Sequence, residues 1–288
     1  MATATPSRIM LATDLTPAGD RAFDRAVQLA QQWNAELVVC HVIESSAMRP
    51  WGAERRAHNA TTELERLVRA SPLNGKLRRH IIIGDPAELV LRHARDIGCD
   101  LIVTGPAHGR VLEEKLLGST AARIVRWATQ PVLSVRRRPE GAYRNVVAAV
   151  DFSDASLAAV RHTREMFPEC NLTAVHAYGV APDWGGANAE KSIDVIESEE
   201  RERVSASAER EMADLLAALG DASASVDTEL MEGSPDAVLA EFVEKQWPDL
   251  VVTGTYGRAG PREGSIGSVA ERLLTTLKCD VLVVPARG

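Results

Sequence analysis

A glycine-rich segment lies between an apolar run and a helical pattern in the last part of the chain, and its glycines are Gly254, Gly257, Gly260, Gly264 and Gly267. Because glycine carries no side chain, backbone N–H groups in such a segment can approach a ligand closely. Gly267 and Ser268 then open a helix, whose first N–H groups favour an anion, and Arg258 and Arg262 add positive charge nearby. The pattern therefore predicts a phosphate-binding site. The alternative is a flexible surface loop that leads into a capped helix.

The other motifs do not indicate a catalytic centre. No glycine of the chain is followed by Lys and then Ser or Thr, which excludes a Walker A motif, and no G-x-G-x-x-G follows the first apolar run. His41 and His176 occupy equivalent positions at the end of a strand pattern, where packing is the simpler interpretation. His108 lies inside a candidate site, but no Ser or Cys nucleophile motif accompanies it. We therefore assign no catalytic residue.

The candidate positions occur twice, because the chain contains two copies of one pattern. Each copy begins with an apolar run that ends in an aspartate, Asp14 or Asp151, followed two residues later by a hydroxyl residue that caps an amphipathic helix. The copies are 137 positions apart at these aspartates (151 − 14) and 149 positions apart at Gly118 and Gly267 (267 − 118). The second copy therefore has a longer segment before its third strand, with apolar residues at helical spacing as far as Leu219.

Each copy alternates strands and helices in the order β-α-β-α-β-α-β-α-β. Such alternation favours an α/β fold with a mainly parallel sheet and helices on both faces, and right-handed crossovers make it doubly wound. The segment from Arg138 to Tyr143 combines charge, proline and glycine between two apolar runs. We therefore predict two tandem doubly wound domains, residues 1–138 and 144–288, each with a five-stranded mainly parallel sheet.

Composition and charge restrict the class of protein. The 288 residues are 45% hydrophobic and 25% charged, as in an ordinary globular protein, and the formal net charge is -7. An acidic chain does not indicate nucleic-acid binding, because phosphate backbones are held by clustered Lys and Arg.

No run approaches the ~18 apolar residues of a membrane span, and the first residues lack a signal-peptide pattern, so we expect a cytoplasmic location. The four cysteines form no C-x-x-C pair, and we expect Cys40 and Cys279, which lie in apolar strand patterns, to be buried thiols.

The spacing of the glycine-rich segment resembles that of the ATP-binding universal stress proteins, and the resemblance extends over both copies. It implies ATP as the cofactor, with Mg²⁺ left open. It places the adenine and ribose beside Asp151 and the adenine edge at the backbone of Ala177. The phosphate contacts that it implies are Gly254, Gly257, Gly267 and Ser268, with Arg258 nearby. For Asp151 there is an equal alternative, a turn in which the carboxylate bonds its own backbone.

The first copy departs from this spacing. Gly105 and Gly118 keep the separation of the outer glycines, but His108 replaces the middle glycine, and Pro106 removes an N–H group that a phosphate could bind. Two glutamates in the same segment, Glu113 and Glu114, would repel phosphate. We therefore predict a weaker site in this copy, formed by the matching residues that remain, which are Asp14, Val42, Gly105, Gly118 and Ser119.

The resemblance implies a cytoplasmic stress-response protein that binds ATP in its second domain and acts as a nucleotide-dependent regulator. No residue is identified as a general base, so any ATPase activity should be slow or absent. Two alternatives remain open. One is a scaffold of the same family that binds no nucleotide and works through protein contacts. The other is an enzyme of a related α/β superfamily, such as a nucleotidyltransferase or an ATP pyrophosphatase, although the HxGH and SGGxDS signatures are absent.

Each copy ends in an apolar strand pattern, residues 131–135 and 280–284. In a sheet with this chain order the fifth strand lies at an edge, and an apolar edge needs a covering partner. Universal stress proteins commonly dimerise through this strand, and a tandem chain supplies both partners. We therefore predict an intramolecular pseudo-dimer in which the two strands pair antiparallel, with Leu133 and Val135 near Leu282 and Val284. A further homodimer is left open.

Overall fold

The computed structural model describes residues 5–44, 50–73, 75–106, 120–179, 193–257 and 266–285. The elements of the first copy are β1 (Arg8–Ala12), α1 (Pro17–Trp33), β2 (Glu36–Glu44), α2 (Pro50–Ala70), β3 (Leu77–Gly84), α3 (Pro86–Asp96), β4 (Leu101–Thr104), α4 (Thr120–Trp127) and β5 (Val132–Ser134). Those of the second are β6 (Asn145–Ala149), α5 (Asp154–Met166), β7 (Asn171–Tyr178), α6 (Ile193–Leu219), β8 (Val226–Glu232), α7 (Pro235–Gln246), β9 (Leu250–Gly254), α8 (Ser268–Thr276) and β10 (Asp280–Val284). The predicted alternation of strands and helices is confirmed.

All ten strands form one sheet in the order β3-β2-β1-β4-β5-β10-β9-β6-β7-β8. Neighbouring strands are parallel within each copy, and the central pair, β5 and β10, is antiparallel. Leu133 lies opposite Leu282, and the register is symmetrical about this pair. The predicted intramolecular pairing of the two terminal strands is therefore confirmed. Because the strands of the two copies run in opposite directions, their carboxyl ends lie at opposite edges of the sheet.

Helices cover both faces of the sheet, as predicted. Successive strand residues point to opposite faces, so Ile9 and Leu11 of β1 join one hydrophobic cluster and Met10 joins the other. Helices α1, α2, α5 and α6 pack into the first cluster, and α3, α4, α7 and α8 pack into the second. Both clusters contain residues of both copies, so the core continues across the central strand pair.

A buried ionic network joins the two copies beside this strand pair. Asp280, at the start of β10, is fully buried and accepts hydrogen bonds from the backbone N–H groups of Arg136 and Arg137, at 2.7 and 3.1 Å. The hydroxyl of Tyr143 donates a third, at 2.6 Å. Arg25 of α1 lies with its Nε atom 3.5 Å from this carboxylate and with its guanidinium carbon 4.1 Å from the centre of the Tyr143 ring. Sequence analysis did not predict this network.

Cys40 and Cys279 are buried, as predicted, and so are Cys99 and Cys170. Burial raises the pKa of the Cys40 thiol to about 11 and that of Cys99 to about 12, so these thiols are protonated at neutral pH. Among the residues that the structure describes, no three His, Cys, Asp or Glu side chains are placed to hold a metal ion. In the same part of the chain, no helix combines the length and the apolar character that crossing a membrane requires.

Candidate nucleotide site

The cleft of the second copy lies at the carboxyl ends of β6, β7 and β9, beside the start of α8. Ligands of doubly wound sheets bind in this position, where the strand order reverses. The cleft has a volume of about 490 Å³. Six of the seven predicted residues line it together, and these are Asp151, Ala177, Gly254, Gly257, Gly267 and Ser268. The seventh, Arg258, lies outside the described residues.

Asp151 forms a tight turn directly after β6. Its Oδ1 atom accepts hydrogen bonds from the backbone N–H and the hydroxyl of Ser153, at 3.1 and 2.6 Å. Phe152, between them, has a φ of 62°, in the left-handed region. Ser153 in turn caps α5, as predicted, by accepting a hydrogen bond from the N–H of Ser156. The turn interpretation of Asp151 thus holds for one carboxylate oxygen, while the residue also lines the cleft.

His176 fixes the end of β7 against this turn. Its Nδ1 atom lies 2.8 Å from the carbonyl oxygen of Val150, and its ring contacts that of Phe152, with centroids 4.1 Å apart. Packing, rather than catalysis, is the interpretation that these contacts favour. Strand β6 pairs with β7 only as far as Val175, so the edge of β7 that carries Ala177 extends beyond its neighbour and lines the cleft.

The three glycines of the site are required for different reasons. A Cβ at Gly257 would lie 2.4 Å from Oδ2 of Asp151, so glycine lets the loop backbone contact this carboxylate. A Cβ at Gly267 would lie 3.2 Å from the carbonyl oxygen of Thr255, where the loop meets α8. A Cβ at Gly254 would instead meet Ala155 of α5, at 2.9 Å from its Cβ. Gly254 therefore serves close strand–helix packing as well as lining the cleft.

The amino terminus of α8 opens into the cleft. Gly267 is its N-cap residue and has no side chain that could accept a hydrogen bond from the first turn. The N–H of Gly267 donates to the carbonyl oxygen of Thr255 at 2.7 Å, which ties the loop to the helix. The next N–H groups, from Ser268 to Ala270, have no acceptor within the helix, by helical geometry. Together with the positive end of the helix dipole they can bind an anion.

The first copy has a corresponding cleft at the opposite edge of the sheet, with a volume of about 950 Å³. Asp14, Val42 and Gly105 line it, whereas Gly118 and Ser119 lie outside the described residues. Asp14 repeats the turn of Asp151, since its Oδ1 accepts from the N–H and hydroxyl of Thr16 at 3.0 and 2.7 Å.

Two carboxylates that sequence analysis did not select also line this cleft, Glu44 of β2 and Glu63 of α2. Glu63 could have been identified only by the rotational phase of α2, because nothing in its local sequence distinguishes it from other helical glutamates. No described residue that lines this cleft is a lysine or an arginine.

The strand order and the position of the two clefts define a pair of doubly wound α/β domains joined through their last strands. The family model described as "Universal stress protein family" matches residues 6–136 and 142–285. The chain therefore belongs to the universal stress protein family and carries two copies of its domain.

Individual relatives match one copy at a time. "Universal stress protein MJ0531" of Methanocaldococcus jannaschii is 33% identical over 155 residues, which are 52% of this chain and 87% of that protein. "Universal stress protein A homolog 1" of Coxiella burnetii is 36% identical over 140 residues, which are 44% of this chain and 94% of that protein. These proteins correspond in length to a single copy.

Solved structures match the tandem arrangement as a whole. A universal stress protein from Archaeoglobus fulgidus has a TM-score of 0.70 and 16% identity, with 98% of this chain and 99% of that chain covered. A putative universal stress protein from Pseudomonas aeruginosa has a TM-score of 0.62 and 18% identity, with 98% and 94% covered. At these identities the comparisons establish the fold.

Proposed function

We propose that the chain binds ATP in the cleft of its second copy and acts as a nucleotide-dependent regulator. The observation that carries this proposal is the close approach of Gly257 to Asp151, where a Cβ would lie 2.4 Å from the carboxylate. A loop whose backbone must come this close to the end of β6 forms a cradle that a larger residue would fill. The family resemblance of the glycine spacing supports the same assignment.

The residues of the cleft divide into two groups. Asp151 and the backbone of Ala177 lie at the ends of β6 and β7, and we assign them to the ribose and the adenine. Gly257 and the first turn of α8, beginning at Ser268, belong to the loop and helix that follow β9, and we assign them to the phosphates. Backbone N–H groups at a helix start bind phosphate oxygens without any lysine, because they combine free donors with the helix dipole.

We expect little or no hydrolysis of the bound nucleotide. A general base must reach the attacking water. Two ionisable groups line this cleft, Asp151 and His176. Oδ1 of Asp151 accepts hydrogen bonds from Ser153, and Nδ1 of His176 lies within hydrogen-bond distance of the carbonyl oxygen of Val150. Both atoms are therefore engaged by the turn that follows β6. A bound nucleotide should therefore persist for minutes or longer with Mg²⁺. Turnover at the ~1–1000 per second of ordinary enzymes would contradict this expectation.

The test is an equilibrium titration of the purified chain with ATP, for which we expect one tight site. Gly257→Ala should weaken it by about tenfold or more, which is ~1.4 kcal/mol, because the new Cβ collides with Asp151. Gly179→Ala is the matched control, because a Cβ there would make an ordinary contact of 3.9 Å with the carbonyl oxygen of Gly233. Two equal sites per chain, or unchanged affinity in Gly257→Ala, would refute the assignment. Absence of any ATP binding would favour a scaffold that works through protein contacts.

A further inference from the structure

The two clefts share the frame that we assign to the nucleoside. Asp14 and Asp151 form the same turn, and the residues after them, Leu15 and Phe152, both have a φ near 60°. His41 repeats the contact of His176, with its Nδ1 atom 2.9 Å from the carbonyl oxygen of Thr13. The turn after the first strand and the end of the second strand are thus held alike in both copies.

The clefts differ where we assign the phosphates. In the second copy the N–H of Thr255 donates to the carbonyl oxygen of Val284 at 3.1 Å, and its own carbonyl accepts from Gly267. These two bonds fasten the start of the loop to β10 and α8. Pro106 occupies the position of Thr255 in the first copy, 149 residues earlier. Because proline has no N–H, the first copy cannot form the bond that fastens the loop to the last strand.

The charges of the first cleft also differ. Asp14, Glu44 and Glu63 line it, whereas Asp151 is the single carboxylate among the described residues that line the second. Arg66 pairs with Glu63 at 2.5 Å and offsets part of its charge, but Arg66 does not line the cavity. A hydrogen bond from Arg66 lowers the pKa of Glu63, so this carboxylate is ionised at neutral pH. The three carboxylates give the cavity a negative charge that would repel phosphate groups, and Pro106 has no N–H group that could bind one.

We propose that the first cleft binds a nucleoside without phosphates and that its carboxylates exclude nucleotides. The site is the cavity itself, which is large enough for a nucleoside, and the carboxylates determine only its selectivity. This inference rests on the proposed function, because the nucleoside end is interpreted from its likeness to the second cleft. The two copies would then recognise the same base but differ in their preference for phosphate groups on the ribose. Each added phosphate would weaken binding in the first cleft and strengthen it in the second.

The test is a calorimetric titration of the full chain with adenosine, AMP and ATP. We expect adenosine to bind more tightly than AMP or ATP in the first cleft. Ala121→Trp, which fills this cleft from α4, should abolish adenosine binding in the first cleft and leave ATP binding intact. Gly257→Ala should weaken ATP binding and leave adenosine binding in the first cleft intact. Asn59→Trp fills the same cleft from an exposed position of α2. It replaces Ala121→Trp as the test variant if Ala121→Trp lowers the melting temperature.

Charge reversal tests the selectivity with a closely matched pair of variants. Glu63 and Glu65 lie on α2 with side chains 39% and 38% exposed, and each pairs with an arginine, but only Glu63 lines the cavity. Glu63→Lys should raise the affinity for AMP relative to adenosine by about tenfold at low salt, and Glu65→Lys should leave this ratio unchanged.

The outcomes separate the two proposals. The inference is overturned if adenosine does not bind, if Ala121→Trp and Asn59→Trp both leave its binding intact, or if ATP occupies the first cleft as tightly as adenosine. An equal effect of Glu63→Lys and Glu65→Lys would overturn the selectivity argument. If adenosine binds the first cleft while ATP fails to bind the second, the proposed function fails and the cavity assignment stands.

Discussion

Arg25 and Asp280 belong to different copies of the repeat, yet their charged groups meet 3.5 Å apart in the interior. Arg25 is 5% exposed and Asp280 is 0% exposed. Removing both charges from water is costly, and the ion pair alone compensates this cost only when further hydrogen bonds complete it. Here the Tyr143 hydroxyl and two backbone N–H groups complete the coordination of the carboxylate. The network therefore couples the stability of the two copies through their shared interior.

Arg25→Met should lower the free energy of unfolding by about 3–5 kcal/mol, because it leaves the buried carboxylate of Asp280 without its counter-charge. Urea denaturation followed by circular dichroism measures the change. Arg66→Met removes an exposed arginine from an ion pair on α2 and should leave the midpoint nearly unchanged. Equal effects of the two substitutions would show that the network contributes no more than a surface pair does.

Tyr143→Phe should lower the free energy of unfolding by about 1.5–3 kcal/mol, because it removes a hydrogen bond to a charged group and keeps the ring.

Tyr143→Phe should also change how stability responds to alkali. Burial, and then the charge of Asp280, raise the pKa of Tyr143 well above its usual value. The unfolded chain therefore loses this proton near pH ~10 while the folded chain retains it, so stability falls as pH rises above that value. The free energy of unfolding should decline less steeply from pH 9 to 11 in Tyr143→Phe than in the native chain; equal slopes would contradict the assignment.

His93 should make the fold sensitive to acid. Its ring lies on α3 with its centroid 4.5 Å from that of His80 on β3. Burial, and then the charge of His80, lower the pKa of His93. The unfolded chain therefore binds this proton at a higher pH than the folded chain, and stability falls as pH drops below ~6.5. His93→Gln should flatten the profile of melting temperature between pH 7 and 5. His58→Gln, at an exposed position of α2, should leave the profile unchanged. A profile that neither substitution alters would exclude His93 as the cause.

Gly254 and Gly257 should respond differently to the same substitution. In Gly254→Ala the new Cβ would lie 2.9 Å from the Cβ and 3.0 Å from the carbonyl carbon of Ala155, so the strand and α5 must separate. Such overpacking typically costs ~1–3 kcal/mol. In Gly257→Ala the new Cβ meets only a carboxylate oxygen of Asp151, at 2.4 Å. Calorimetry should show a lower melting temperature for Gly254→Ala, and ATP titration should show weaker binding for Gly257→Ala. Similar melting temperatures for the two variants would refute the distinction.

Local patterns predicted the elements of this fold well, because they depend on residues close in sequence. The cap at Thr16 and the apolar strand around Leu133 are examples, and both are found as predicted. The sequence did not indicate that Asp280 pairs with Arg25. The two residues are far apart along the chain, so no local pattern connects them. A single aspartate before an apolar strand is usually interpreted as part of a turn. The packing role of Gly254 was missed for the same reason, because its neighbour Ala155 becomes apparent only when α5 lies across the sheet.

Asp280 occupies the position that Pro131 holds in the other copy. In an assembly of two identical chains, every substitution appears on both sides of the two-fold axis, so an arginine–aspartate pair would occur twice or not at all. Linking the copies in one chain removes that restriction. A substitution then changes the residue in one copy, while the matching position of the other copy keeps its residue. The same freedom applies at the two distant edges of the sheet, where the residues that line one cleft can change while those that line the other stay the same.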